Sequence, residues 1–190
     1  MRKKLVAGVG VTDIPMKDEN GKTMKSYQSW QHMLNRCYSE KIQEIHPTYK
    51  GCLVSYEWLT YSNFKKFYDT NYKEGFQLDK DILIRGNKEY SEKACRFVPA
   101  YINLLLIDRG AKRGEYKIGV DFYNGKFRSQ CNNGTGKQKY LGYYENEEEA
   151  FQAYKEFKEQ TIKRIAQSAY GKGDIDIDIY HALLKWEITG

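Results

Sequence analysis

An α+β chain in two modules is what this sequence predicts, and three observations carry that expectation. Apolar residues recur at helical spacing from Ser26 to Glu44 and again beyond Trp58. Between Tyr116 and Glu145 the period shortens to the alternation of β-strands, broken by Asn-Gly turns. A charged, glycine-containing break, DRGAKRGE at 108–115, separates the two patterns. We therefore expect an N-terminal module over 1–107, a basic linker over 108–115, and a C-terminal module over 116–190 made of a small three-stranded antiparallel sheet packed on one helix.

In the first module, LVAGVGV reads as a short strand and DENGKTMK as a polar turn. Ser26 to Glu44 reads as one helix, with Ser26 as its N-cap and Tyr27, Trp30, Met33, Leu34, Cys37 and Tyr38 along the core face. His32 falls beside that stripe and reads as exposed. LVSYEWLTYSNFKKFYDTNY then reads as a strand entering an aromatic helix, with Trp58, Phe64, Phe67 and Tyr68 at helical intervals.

The stretch Gln77–Asn103 carries the chemistry. Leu78, Ile82 and Ile84 flank the charges Asp79, Lys80 and Asp81 as a short strand would, GNK supplies a turn, and EKACRFVPAYINLLL reads as a return strand leading into a helix. Strand, loop and helix would deliver Asp79, Asp81, Asn87 and Asn103 to one place. Carboxylate and amide oxygens are hard ligands, suited to a magnesium-type ion that neutralises a phosphate and orients a water. The plain alternative is a charged hairpin whose Asp79 and Asp81 face solvent and whose Asn87 only makes a turn.

In the second module, YKIGVDFY, GKFRSQCNN and KQKYLGYYE read as three strands joined at Asn124-Gly125 and Asn133–Gly136. A helix from Glu147 to about Gln167 carries Ala150, Phe151, Tyr154, Phe157, Ile162 and Ile165 as its apolar stripe, and would cover a sheet too small to bury its own face. With Phe127, Ser129, Cys131 and Leu141 turned to the helix, strand alternation sends Arg128, Gln130, Asn132, Gln138 and Tyr140 outward. These side chains suit base edges and base faces: Arg to guanine, Gln and Asn to adenine, Tyr for stacking. In the tail, Asp174, Asp176 and Asp178 alternate with Ile as on an extended strand, and a short helix is expected around Tyr180–Leu184.

Composition bounds the partner and the compartment. The chain's 190 residues include 17 tyrosines, and 31 basic against 25 acidic side chains give a net charge of +6, which favours an acidic partner such as DNA. Cys37, Cys52, Cys95 and Cys131 form no C-x-x-C pair, so no zinc ribbon is expected. The opening MRKKLVAGVGV is too short and glycine-broken for a secretion signal, and no apolar run would span a membrane. A reducing cytoplasm with free thiols is the expected setting.

The run W-x-x-M-L-x-R-C-Y, then Y-x-G-C, then E-W-x-x-x-x-N-F, followed by the Asp79 strand and the GNK turn, resembles the degenerate His-Asn-His (HNH) nucleases of phages and their homing endonucleases, over roughly Gly8–Leu106. That resemblance implies a ββα-metal module, a phage-encoded protein in the host bacterial cytoplasm, Asp79 and Asn103 on a Mg²⁺ or Mn²⁺ ion with Asp81 as a further or alternative ligand, and Asn87 as the turn asparagine. Lys80 stands where the family has its general-base His, and Ala94 where its middle Asn is expected. An ordinary lysine is protonated at neutral pH, so Lys80 would steady the scissile phosphate, and the base remains unassigned.

Gly119-Val120, Gly125-Lys126-Phe127, Tyr140-Leu141-Gly142-Tyr143-Tyr144, Glu148-Glu149-Ala150 and Ala153-Tyr154 together resemble the Apetala-type, or ethylene-response-factor, DNA-binding domain. That family lays its outer sheet face in the major groove of double-stranded DNA. Its groove-reading tryptophan has no counterpart here, since Asn124 stands near that position. The readings left open are a metal-dependent nicking enzyme, a DNA-binding regulator or accessory protein without cleavage, and a protein-binding counter-defence factor.

Overall fold

The computed structural model describes residues 5–106, 115–134 and 136–189. It is a mixed α+β chain that divides into two compact units, Met1–Val98 and Pro99–Gly190. The expected linker at 108–115 lies, apart from Glu115, outside the described residues.

The first unit is organised by helices α1 (Lys25–Tyr38) and α3 (Tyr61–Asn71). Trp30, Met33, Leu34, Tyr61 and Phe64 are almost wholly buried between them. The aromatic rings meet edge-on, Tyr27 with Tyr61 at 5.1 Å and Trp58 with Phe64 at 5.1 Å. A buried indole N–H needs an acceptor, and Trp30 Nε1 donates to the Trp58 carbonyl at 2.6 Å. That carbonyl belongs to a 3₁₀ turn over Tyr56–Leu59, so Trp58 sits ahead of the helix it was expected to join.

Two helical expectations do not hold. The span Ser26–Glu44 breaks at Ser39, whose extended backbone ends α1 before α2 (Glu40–Ile45) begins; Gln43 Nε2 donates to the freed Cys37 carbonyl at 2.6 Å. Ser26 is not the N-cap, which falls on Met24; its hydroxyl is buried against the Tyr61 hydroxyl at 2.7 Å. The segment LVAGVGV is not a strand either. Ala7 and Gly8 both take positive φ, closing a tight turn bridged Val6 to Gly10, and Val11 pairs with Thr60.

Two small pairings complete this unit: β1 (Leu53–Val54) runs parallel to β3 (Glu89–Tyr90), and β2 (Phe76–Asp79) pairs with β4 (Arg96–Pro99). The chain between β2 and β3, residues 80–88, carries the candidate acids. Strand β4 runs directly into α4 (Ala100–Leu106), the strand-to-helix step expected from the sequence.

In the second unit β5 (Val120–Tyr123), β6 (Lys126–Asn132) and β7 (Gln138–Tyr144) form an antiparallel sheet in that order, packed on α5 (Glu147–Gly171). Cys131, Phe151 and Tyr154 are its buried centre. The β5–β6 turn is Asn124-Gly125, both at positive φ, as a two-residue hairpin turn requires. Gly119, just ahead of β5, leaves no room for a side chain against the helix: a Cβ there would lie 1.9 Å from the Tyr154 ring. The Asn146 side chain caps α5 by accepting from the Glu149 N–H at 2.9 Å, and Glu147, Glu148 and Glu149 occupy its first turn.

The tail corrects the reading of Asp174, Asp176 and Asp178 as one face of a strand. Asp176 is the N-cap of α6 (Ile177–Leu184), accepting from the Ile179 N–H at 2.8 Å, and Ile175, Ile179 and Leu183 are buried at four-residue intervals.

Candidate functional site

Two places hold the residues singled out by the sequence. The first is the loop after β2, and its polar groups are turned on one another. Asp79 Oδ1 accepts from the backbone N–H groups of Asp81 and Ile82, at 2.7 and 2.6 Å. Burial raises the Asp79 carboxyl above its ordinary pKa, and these two N–H bonds pull the other way. Asn87 closes the loop from the far side: its Nδ2 donates to the Lys80 and Glu89 carbonyls at 2.9 and 2.6 Å, and its Oδ1 accepts from the Glu89 N–H at 3.1 Å. The turn asparagine expected from the sequence is thus a brace joining both ends of the loop.

Lys80 is buried at 6 % exposure. Its ammonium donates to Asp81 Oδ1 and Oδ2 at 2.8 and 2.7 Å and to the Asn87 carbonyl at 2.5 Å. An ammonium has three N–H donors, and three acceptor oxygens meet it. The Tyr90 ring lies 5.9 Å from the same nitrogen, within cation–π range.

The donors expected for a divalent ion are therefore committed. One oxygen of Asp79 caps two N–H groups, both oxygens of Asp81 hold Lys80, and the Asn87 side chain holds backbone. Asn103 is half-buried on α4, which belongs to the second unit. Among the described residues no three His, Cys, Asp or Glu side chains gather as a metal group. As arranged, these residues do not fit a magnesium or manganese ion. His46 and His32 are exposed, and the His46 ring lies 6.1 Å from that of Tyr49.

The second place is the outer face of the β5–β7 sheet. Ser129 and Cys131 are buried against the helix while Arg128, Gln130 and Asn132 are not, as alternation predicts. Cross-strand pairing sets Asp121 and Tyr143 on either side of Arg128, Tyr140 beside Gln130, and Gln138 beside Asn132. All five sequence-predicted residues are therefore brought onto one face. Three more join them that the sequence reading missed: Asp121, Tyr123 and Tyr143.

Arg128 is held rather than loose. Its Nε and Nη2 grip Asp121 Oδ1 and Oδ2 at 2.9 and 2.5 Å, and its guanidinium lies 4.7 Å from the Tyr123 ring centre. The bond to Arg128 keeps the Asp121 carboxyl below its ordinary pKa. A guanidinium has five N–H donors, so an Arg held by two still has donors to offer. Tyr123 and Tyr143 lie nearly parallel, 6.4 Å apart, and Tyr140 leans on Tyr143 at 5.3 Å. Tyr123, Tyr140 and Tyr143 are each about half exposed. The face thus carries one oriented guanidinium, three side-chain amides and three open aromatic rings.

Asp121 and Tyr123 were legible by extending the same alternation into β5. Tyr143 was not, because simple alternation from Tyr140 turns it inward. A register shift between Ser129 and Gln130 absorbs an extra residue of β7 and brings Tyr143 back to the outer side.

No protein-family description, curated protein or solved structure matches this chain. Among the described residues no helix is long and apolar enough to cross a membrane.

Proposed function

We propose that this protein binds double-stranded DNA through the outer face of β5–β7, and that its first unit is a scaffold of HNH ancestry without cleavage, as in a phage regulator or accessory protein. The observation that carries the reading is the row Asp121–Arg128–Tyr143, flanked by Tyr123, Tyr140, Gln130, Asn132 and Gln138. Arginine and amide side chains read base edges in the major groove, and a preset guanidinium loses less freedom on binding than a free one. The net charge of +6 supports a polyanionic partner.

Against cleavage stand the committed donors of the loop and the ammonium of Lys80 where a base would be needed. The test is incubation of the purified protein with supercoiled plasmid and with labelled duplex, in magnesium, manganese or chelator, reading cleavage and gel shift together. The reading expects a shift that is unchanged by chelator and weakens with salt by a slope of about 0.9 per phosphate neutralised. Metal-dependent nicking that is lost in Asp79→Ala would replace it with the nuclease reading. No shift on any duplex would leave a protein-binding role.

A further inference from the structure

Lys139 and Tyr140 are neighbours on β7 and leave it on opposite sides of the sheet. Lys139 pairs across from the buried Cys131, and its ammonium lies over the Phe157 ring of α5. On that side, between the end of the sheet and the middle of α5, is a cavity of about 450 Å³ lined by Asn133, Lys139, Phe157, Gln160, Thr161 and Arg164. We propose that it binds a small organic phosphate, a monoester whose charged group sits between Lys139 and Arg164 and whose body lies along Phe157. The inference goes beyond the DNA-binding reading and does not depend on it.

The walls are set by the fold. Phe157, Gln160, Thr161 and Arg164 recur at the three- and four-residue spacing that puts side chains on one face of a helix. The other wall is the end of the β6–β7 hairpin. The Asn133 N–H donates to the Lys137 carbonyl at 2.9 Å, and the Gly134 N–H to Asn132 Oδ1 at 2.8 Å, so this segment is braced by its own bonds. It also lies tight on α5, since a Cβ at Gly134 would come within 2.4 Å of Ile165 Cδ1. Arg164 Nη2 donates to the Asn133 carbonyl at 3.1 Å and so joins the two walls.

Charge and donor count select the ligand. Among the described residues the lining holds two cations and no acid. Glu159, on the same helix, is taken by Lys155 at 3.8 Å and by the Ile188 N–H at 2.9 Å. The Lys139 ammonium is 4.9 Å from the Phe157 ring centre, a contact that positions the charge without neutralising it. Arg128 is the contrasting case, because Asp121 supplies its counter-charge from within the chain. The ammonium has three N–H donors and the guanidinium five, and the Gln160 amide and Thr161 hydroxyl add more. Such a set exceeds what the two oxygens of a carboxylate can accept and suits the three terminal oxygens of a phosphate monoester. The volume is larger than a bare phosphate needs and falls in the range of small-ligand pockets, about 300–1,000 Å³. Phe157, half-buried, offers an apolar surface to the rest of such a molecule.

The test is an NMR titration of the full-length protein with phenyl phosphate, inorganic phosphate and phenol. Phenyl phosphate is expected to shift the amide signals of 133, 139 and 157–164 to saturation, inorganic phosphate to shift the same signals with weaker affinity, and phenol to leave them in place. Lys139 and Arg164 are exposed, so Lys139→Ala and Arg164→Ala should melt as the wild type does. Each is expected to weaken phenyl phosphate binding by roughly tenfold, and Arg128→Ala to leave it unchanged.

Signals that respond to neither phosphate would overturn the proposal, and this wild-type result needs no variant to fold. So would phenol acting as phenyl phosphate does, phenyl phosphate binding no tighter than inorganic phosphate, or wild-type affinity in both alanine variants. Duplex DNA that shifts 157–164 and is displaced by phenyl phosphate would make the cavity a contact for the DNA backbone, and overturns it as well.

Discussion

The loop after β2 and the outer face of β5–β7 use similar side chains to opposite ends. In the loop, Asp79, Lys80, Asp81 and Asn87 spend their hydrogen bonds on each other and on nearby backbone, and the cation at the centre is buried. On the sheet, Arg128 is fixed by Asp121 and lies over the Tyr123 ring, and Gln138, Tyr140 and Tyr143 stand open to solvent. A polar cluster that satisfies itself stiffens a fold. One that fixes its orientation and leaves donors free is arranged to meet a partner. The difference lies in where the remaining donors point rather than in residue type.

Trp30→Ala removes a wholly buried ring and orphans the Trp58 carbonyl, and should cost the first unit about 3–5 kcal/mol in urea unfolding. Gly119→Ala should cost the second unit about 3 kcal/mol, since its Cβ meets the buried Tyr154 ring and its φ is +78°. These two changes should report on different units, which unfolding followed by NMR signals from each would separate.

At the sheet face, Arg128→Ala should weaken duplex binding by about 1–3 kcal/mol and Tyr140→Ala by about 1 kcal/mol, measured by fluorescence anisotropy at fixed salt, with melting temperature little changed. The smallest effect concerns pH. Because Arg128 holds the Asp121 carboxyl below its ordinary pKa, their pairing stabilises the folded state above about pH 4 and is lost only as pH falls through the lowered folded value. The Asp121 side-chain carboxyl signal should titrate below its ordinary value. In Arg128→Ala that depression should vanish.

Thiol chemistry offers a further contrast with the open face. Burial pushes the Cys37 and Cys95 thiols up to about 12, so neither should react with a thiol reagent at neutral pH until the first unit unfolds.

The sequence made the helices and the three-stranded sheet legible because their periods are strong: Trp30, Met33, Leu34 and Cys37 on α1, and the Ser129–Cys131 alternation on β6. It misled where two periods coincide. Residues 174–178 alternate Asp and Ile as a strand would, yet Ile175, Ile179 and Leu183 also fall four apart, and the Asp176 cap decides for helix. It was silent on tertiary choices: Ser26 offers a cap but is drawn into a buried bond with Tyr61. The outer-face residues were legible except where the register shift returns Tyr143. The acids of the loop were found, but not their commitment to Lys80 and backbone, because a lysine's burial depends on contacts distant in sequence such as Tyr90.

The most direct test of the account compares duplex affinity, with and without chelator, for wild type, for Arg128→Ala with Tyr140→Ala, and for Asp79→Ala. The account predicts that the sheet-face pair loses at least tenfold, that Asp79→Ala binds as wild type does, and that chelator changes nothing. Full affinity in the sheet-face pair, or a chelator-sensitive loss confined to Asp79→Ala, would contradict it.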